Sequence, residues 1–232
     1  MKIKIQKFDP SVDLEPYYIE HEIEHTGMMS VLEAITVVHE QCEAVSFDYS
    51  CHGRMCGRCS VMMDGMPVLA CSTPITDKDH VIEPLKGMPI VRDLVVDKSD
   101  LDNELSRVYL RIRTEPVKLE EMSDFNVEDK DVIYALSNCL RCGMCNAACP
   151  AVSIVKNKYA GPAFMVANGF RYYDPYDQAD RVLEAVSNGM YHCTMCGTCD
   201  SVCPRNDIDH QDLYKVLRAE AEKRGLKPSY AD

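Results

Sequence analysis

The thirteen cysteines in this 232-residue chain constrain its fold more than any other feature. Apart from Cys42, they fall into three groups with short, regular spacing. The opening residues, MKIKIQKFDP, lack the apolar stretch of a signal peptide, so we expect a soluble, cytoplasmic chain. Because cytosolic thiols are kept reduced, so many cysteines indicate metal ligation rather than disulfide bonds.

The first group has the spacing C-x4-C-x2-C at Cys51, Cys56 and Cys59, with Cys71 further along. This is the plant-type pattern for a 2Fe-2S cluster. A short loop supplies three thiolates and backbone N–H groups, and a separate strand returns the fourth thiolate. A structural zinc site is the alternative, but the uneven spacing is unusual for a zinc ribbon.

The two later groups form an internal repeat, CLRCGMCNAACP and CTMCGTCDSVCP. Each reads C-x2-C-x2-C-x3-C-P, in which the fourth cysteine ligates the other of two clusters. The repeat therefore predicts two 4Fe-4S clusters, with a 3Fe-4S cluster disfavoured for the second. The predicted ligand sets are Cys139, Cys142, Cys145 and Cys203 for one cluster, and Cys149, Cys193, Cys196 and Cys199 for the other.

Other side chains near these motifs have two interpretations. We expect Cys42, at the end of the first predicted helix, to be an inert, partly buried thiol. His52 and His192 adjoin ligand cysteines and could tune a cluster or relay a proton. Nearby arginines either favour the reduced, more negative cluster or are solvated loop residues; they are Arg54, Arg58, Arg141 and Arg205.

The first hundred residues alternate strand-like and helix-like patterns. MKIKIQKF and YYIEHEIEH have period-two alternation, which predicts two half-buried strands. Ser30 and Glu33 form a capping box before a helix over SVLEAITVVHEQ. Asp64-Gly65 predicts a type I′ hairpin between VMM and MPVLA. This order is compatible with a β-grasp ferredoxin-like domain over residues 1–98, which would hold the 2Fe-2S cluster.

From Ser99 the period becomes helical, which predicts an α-helical ferredoxin-like domain over 99–232 and an α+β chain overall. Ser99 is a predicted helix cap, and Pro162 is expected in the first turn of another helix. One helix is expected to stop at Asn188-Gly189 and the last at Gly225.

With these motifs together, the chain resembles the iron-sulfur subunit of the succinate dehydrogenase and fumarate reductase family over nearly its full length. The resemblance lies in FDYSCHGRMCGRCSVMMDGMPVLAC, IEPLKGMPIVRDLVVD and YAGPAFMVANGFRYYDP. It implies three clusters that relay electrons from the FAD of a catalytic partner subunit towards a quinone or another acceptor. It implies no catalytic residue and no substrate site in this chain.

Two departures separate the chain from most of that family. Members commonly lack one cysteine of the last run and hold a 3Fe-4S cluster, whereas here four cysteines can complete a 4Fe-4S cluster. The quinone-proximal Trp is absent, and Thr194 stands where members have His. The resemblance is therefore to an atypical subgroup whose third subunit is cysteine-rich and thiol-linked, and a membrane-anchor subunit stays open as the alternative acceptor.

Two other functions remain open at this stage. The chain could be a soluble polyferredoxin-type carrier, or a subunit allied to heterodisulfide reductase, which resembles the C-terminal half alone. The excess of 37 acidic over 25 basic residues argues against a nucleic-acid partner. No apolar run approaches the roughly 18 residues of a membrane span, so membrane association would need a partner subunit.

Overall fold

A computed structural model describes residues 1–118, 120, 129–155 and 157–231. The chain divides into two compact units. The first unit contains Met1–Asp100 and Cys142–Ala148, and the second contains Leu101–Arg141 and Cys149–Asp232. A short segment of the first later cysteine run thus belongs to the N-terminal unit.

The first unit is built on a five-stranded sheet with the order β2-β1-β5-β3-β4. β1 pairs antiparallel with β2 and parallel with β5, and β3 pairs antiparallel with both β4 and β5. Ile3 and Ile5 are fully buried on one face of β1, as their alternation predicts. The strands are β1 (Lys2–Lys7), β2 (Tyr17–Glu22), β3 (Ser60–Met63), β4 (Met66–Leu69), β5 (His80–Glu83), and a separate pair, β6 (Ile90–Arg92) and β7 (Val95–Val96).

Helix α1 (Val31–Gln41) begins at the predicted capping box. The Ser30 hydroxyl accepts the Glu33 N–H, and the Glu33 carboxylate accepts the Ser30 N–H. These bonds satisfy two N–H groups that have no partner within the helix. The apolar face of α1 is buried and includes Leu32, Ile35 and Val38.

The β3–β4 hairpin turns at Asp64 and Gly65, as predicted. Both residues have positive φ, +52° and +83°, which a type I′ turn requires. The hairpin brings Cys59, just before β3, back beside the chain that follows β4. In the same unit, helix α4 (Met144–Ala148) packs against β4.

The second unit is helical, and three of its helices pack against α6. Residues Pro162–Gly169 of α6 are buried, and α6 contacts α3, α7 and α9. The helices are α2 (Ser99–Tyr109, which starts at the unit boundary), α3 (Lys130–Ser137), α5 (Pro150–Val155), α6 (Pro162–Tyr172), α7 (Arg181–Ser187), α8 (Thr198–Val202) and α9 (His210–Lys223).

Helix ends agree with the sequence at three of four predicted positions. Pro162 opens α6, Asn188-Gly189 ends α7, and α9 stops before Gly225, which has a φ of +68°. Ser99 is not the cap of α2 but its first residue. Its N–H and hydroxyl both donate to the Asp97 carboxylate, so Asp97 supplies the side-chain acceptor at the start of this helix.

Candidate metal centres

The loop that contains Cys51 and Cys56 wraps its backbone N–H groups around one sulfur. The Sγ of Cys51 accepts the N–H groups of Gly53 and Met55 at 3.4 Å and that of Cys56 at 3.3 Å. Hydrogen bonds from Gly53 and Met55 lower the pKa of the Cys51 thiol to about 6. A thiolate is thus favoured at this position, as a metal ligand must be.

The hairpin places the fourth cysteine of the first group beside the third. Cys71 follows β4, and its N–H donates to the Sγ of Cys59 at 3.5 Å. Burial, together with negative charge on Cys71 or Cys56, raises the pKa of the Cys59 thiol to about 11. These four thiols suit a cluster that is held by one loop and one strand end, and iron binding would displace the Cys59 proton.

The two later cysteine runs share one backbone conformation. Arg141 and Met195, each just before the second cysteine of its run, have positive φ values of +54° and +57°. Gly143 and Gly197, each just after that cysteine, have φ values of +80° and +75°. Left-handed residues at matching positions turn successive N–H groups inward, as anion-binding loops do. The repeat in sequence is therefore also a repeat in backbone shape.

Four cysteines of the second unit line one cavity, whose empty space of about 360 Å³ includes open solvent at its mouth. They are the four that the sequence predicts for the last cluster. The lining also contains two tyrosines and little polar surface. The cavity is lined by Cys149, Tyr159, Pro162, Cys193, Thr194, Met195, Cys196, Gly197, Thr198, Cys199, Gln211 and Tyr214.

The thiols at this cavity differ in their electrostatics. Burial, followed by the charge of Asp200, raises the pKa of Cys199 to about 12, and burial also raises the pKa of Cys149. Cys196 is exposed, and the hydroxyl of Thr198, 3.3 Å from its Sγ, lowers its pKa. Four thiols that line one partly open cavity fit an iron-sulfur cluster of four ligands.

The remaining predicted set has two members in each unit. Cys142 and Cys145 are buried in the first unit, while Cys139 and Cys203 belong to the second. Burial raises the pKa of Cys139, which also receives hydrogen bonds from the backbone of Arg141 and the hydroxyl of Tyr109. The assignment of these four thiols to one cluster stays a prediction.

Supporting residues from α9 were not predicted from the sequence. Tyr214 is buried, and its hydroxyl hydrogen bonds that of Tyr159 beside the cavity. The Gln211 side chain donates to the Met195 carbonyl at 2.7 Å, and an Arg218 Nη donates to the Cys193 carbonyl at 2.6 Å. Gln211, Tyr214 and Arg218 are spaced so that they share one face of α9, and this pattern predicts a buried helix face. The pattern does not predict that the face contacts a cysteine-bearing loop.

Asp200 joins the last cysteine run to the start of α9. Its carboxylate accepts the His210 N–H at 2.7 Å and lies 2.9 Å from the His210 ring nitrogen Nδ1. Ligand atoms of Cys199, Asp200 and His210 lie within 4.8 Å of one another, a spacing that a metal ion can use. Because Cys199 also lines the cavity, we interpret the Asp200–His210 pair as support for the cluster loop.

The two histidines beside the cysteine motifs pack against tyrosine rings. His52 contacts the Tyr49 ring edge-on, and His192 stacks on Tyr230. Cys42 is exposed, so the prediction that it is partly buried is wrong. It lies at the end of α1, where residues 39–44 are all exposed.

Arginines beside the cysteine motifs pair with neighbouring groups. Arg58 pairs with Asp48 at 2.8 Å, and Arg205 lies 3.7 Å from Asp207. Arg141 lies over the ring of Tyr109, 4.4 Å from its centroid. The ion pairs reduce the field that Arg58 and Arg205 exert on neighbouring sites.

Within the described part of the chain, no helix combines the length and apolar character needed to span a membrane.

Two family descriptions match separate parts of the chain. Residues 2–103 match a 2Fe-2S iron-sulfur cluster binding domain, and residues 135–206 match a 4Fe-4S dicluster domain. These ranges contain the cysteines of the first group and of both later runs.

Curated relatives match nearly all of the chain. It is 33% identical over 229 residues to a fumarate reductase (CoM/CoB) subunit of Methanothermobacter marburgensis, covering 98% of this chain and 46% of that protein. It is 32% identical over 237 residues to the fumarate reductase iron-sulfur subunit of Mycobacterium tuberculosis, covering 97% and 94%. The corresponding Haemophilus influenzae subunit is 30% identical over 253 residues, covering 96% and 93%.

The relatives differ in length. The chain spans 46% of the Methanothermobacter protein. It spans 44% of an iron-sulfur protein of Methanocaldococcus jannaschii and 40% of one of Methanococcus maripaludis. Among solved structures, a chain of the Mycobacterium smegmatis Sdh1 complex in the apo form has a TM-score of 0.82 at 24% identity, covering 98% of both chains. That likeness confirms the α+β fold.

Proposed function

The chain belongs to the family of iron-sulfur subunits of fumarate reductase and succinate dehydrogenase, and from that premise we propose that it relays electrons within such an oxidoreductase complex. At one end of the electron path, the chain would exchange electrons with an FAD-containing catalytic subunit. At the other end it would meet a quinone site or a thiol/disulfide-linked acceptor subunit. Conversion of the acid substrate would take place in the catalytic subunit.

The observation that carries this proposal is the convergence of Cys149, Cys193, Cys196 and Cys199 on one cavity. In the first unit, the N–H groups around Cys51 and the neighbouring Cys59 and Cys71 support a 2Fe-2S site. When bound, iron-sulfur clusters supply one-electron redox centres. The chain would contribute thiolates, N–H donors and burial, which set how readily each centre takes up an electron.

A cysteine-rich acceptor is favoured over a quinone at this subunit. The chain has no Trp, and Thr194 lies at the cavity where the family resemblance implies His. The relative from Methanothermobacter marburgensis is named for CoM/CoB, which supports a thiol-linked acceptor. A membrane-anchor partner is the alternative that the other fumarate reductase relatives support.

The direct test is anaerobic purification of the chain from its native cells under mild conditions. We expect it to copurify with a flavin-containing subunit that interconverts succinate and fumarate or a similar unsaturated acid. Loss of the flavin subunit should abolish reduction of the clusters by succinate. Isolation of a stable, flavin-free monomer that exchanges electrons with several enzymes would instead support the polyferredoxin carrier.

Iron and acid-labile sulfide analysis tests the proposed clusters themselves. One 2Fe-2S and two 4Fe-4S clusters predict about ten irons per chain. Replacement of Cys193 by Ala should remove about four of them and leave the electron paramagnetic resonance (EPR) signal of the 2Fe-2S cluster in place. The matched control is Cys42→Ala, which should leave the iron content unchanged because Cys42 lies outside the three groups. Zinc in place of iron would contradict the proposal.

A further inference from the structure

Lys98 follows β7 and extends its side chain to two cysteine-bearing segments of the first unit. Its Nζ lies 2.7 Å from the Ser60 Oγ, 3.2 Å from the Cys142 carbonyl oxygen and 3.3 Å from the Gly57 carbonyl oxygen. A lysine ammonium has three N–H donors, and these three oxygens are suitable acceptors. The side chain is partly buried, so its charge is less screened than that of a surface lysine.

Each of the three acceptors adjoins a predicted cluster ligand. Gly57 follows Cys56 and Ser60 follows Cys59, both of the 2Fe-2S set, while Cys142 is itself assigned to a 4Fe-4S set. Ser60 is buried, and its hydroxyl also donates to the Cys142 carbonyl at 3.1 Å. Lys98 and Ser60 therefore fasten the backbone at Cys142 to the 2Fe-2S loop.

We propose that Lys98 is a positioning residue for electron transfer between the 2Fe-2S site and the 4Fe-4S site that Cys142 ligates. Its hydrogen bonds hold the two ligand segments at a constant separation, on which the rate of electron tunnelling depends. Its positive charge stabilises the extra electron on either cluster. The inference rests on the proposed function, because it takes Cys56, Cys59 and Cys142 as ligands.

Charge and position have separable consequences. A nearby cation favours the reduced state, so removal of the ammonium lowers the midpoint potential of both clusters. Loss of the three hydrogen bonds releases the Cys142 backbone, so transfer between the clusters slows even where the charge is retained. Variants that change one property at a time therefore distinguish the two effects.

The test uses the intact complex with Lys98→Met, Lys98→Arg and the control Lys86→Met, which removes an exposed lysine of the same unit. EPR-monitored redox titration gives the potential of each cluster, and flash photoreduction gives the rate of transfer between them. We expect Lys98→Met to lower the potentials of the 2Fe-2S and adjoining 4Fe-4S clusters, with about a tenfold change in each reduction equilibrium, or about 59 mV for one electron. The last cluster and Lys86→Met should be unchanged.

Lys98→Arg keeps the charge but not the ammonium geometry, so we expect near-native potentials and transfer slowed by at least about threefold. If Lys98→Met does not retain its clusters, Lys98→Gln gives the same test, since it keeps N–H donors without the charge. Native potentials and native transfer rates in the uncharged variants would overturn the inference, as would an equal shift at all three clusters. Absence of iron and sulfide from the wild-type chain would instead overturn the proposed function.

Discussion

The hydroxyl of Thr198 lies 3.3 Å from the Sγ of Cys196, the exposed cysteine at the cavity of the second unit. A hydrogen bond to a ligand sulfur stabilises the reduced cluster, which has the larger negative charge. We expect Thr198→Val, which keeps the side-chain shape, to lower the midpoint potential of the last cluster. A loss of about 1 kcal/mol corresponds to about 40 mV for one electron.

The control for this variant is Thr36→Val in α1, whose hydroxyl bonds the Leu32 carbonyl and no cysteine. EPR-monitored titration of both variants separates a local effect from a general one. An unchanged potential in Thr198→Val would show that the hydroxyl does not donate to the sulfur.

Asp174 is a nearly buried carboxylate that two arginines of the second unit share. Arg111 Nε lies 2.7 Å from it and Arg171 Nη1 lies 2.6 Å from it. Burial alone would raise the pKa of Asp174, but these hydrogen bonds and charges lower it below its ordinary value of 3.8. We expect Asp174→Asn to lower the free energy of unfolding by about 2 kcal/mol at neutral pH, because both arginines lose a charged partner.

The pH dependence of that loss follows from the sign of the shift. An aspartate with a lowered folded-state pKa adds its full stability above its ordinary pKa, and the gain disappears only as pH falls through the folded-state value. The difference between wild type and Asp174→Asn should therefore stay constant between about pH 5 and pH 8. Urea unfolding at several pH values measures this difference in the free energy of unfolding. The control is Asp102→Asn, which changes an exposed carboxylate on α2.

The cysteine spacing predicts the proposed cluster ligands because each run is local in sequence, and cluster chemistry requires that spacing. The contacts that support the proposed ligands could not be predicted from the sequence. Lys98 reaches Cys142 across 44 positions, and Arg218 reaches the Cys193 carbonyl across 25. Such pairs depend on how distant segments pack, and no local pattern at Lys98 or Arg218 indicates their partners.

At the scale of elements, the turn after α7 leaves no room for a side chain. Gly189 has a φ of +80°, and a Cβ on it would lie 1.9 Å from the Lys158 carbonyl oxygen. We expect Gly189→Ala to destabilise the second unit by roughly 2–4 kcal/mol, because backbone strain and overlap add together. Circular dichroism at a helical wavelength during thermal unfolding measures the effect.

Gly225→Ala is the matched control for that turn. Gly225 also follows a helix of the second unit with positive φ, +68°, but nothing lies within 4 Å of its added Cβ. Gly225→Ala should lower the free energy of unfolding by only about 1 kcal/mol, because only the backbone conformation is strained. Equal losses in the two variants would contradict the role of the Lys158 contact.

Elements governed by local hydrogen bonds and turn geometry were predicted well. The Ser30 capping box, the Asp64-Gly65 hairpin and the Gly225 stop all depend on neighbouring residues. The predicted cap of α2 was wrong, since Asp97 and Ser99 are both good capping residues and only the folded backbone decides between them.

At the scale of the whole molecule, the inclusion of Cys142–Ala148 in the first unit affects the order of events during synthesis. Residues Met1–Asp100 leave the ribosome before the segment that packs against β4 has been translated. The N-terminal unit therefore completes its fold only after α2 and α3, which belong largely to the other unit, have emerged. A gene fragment cut after Asp100 would encode an unfinished unit, and cluster-assembly machinery would meet the 2Fe-2S loop before its last packing partner arrives.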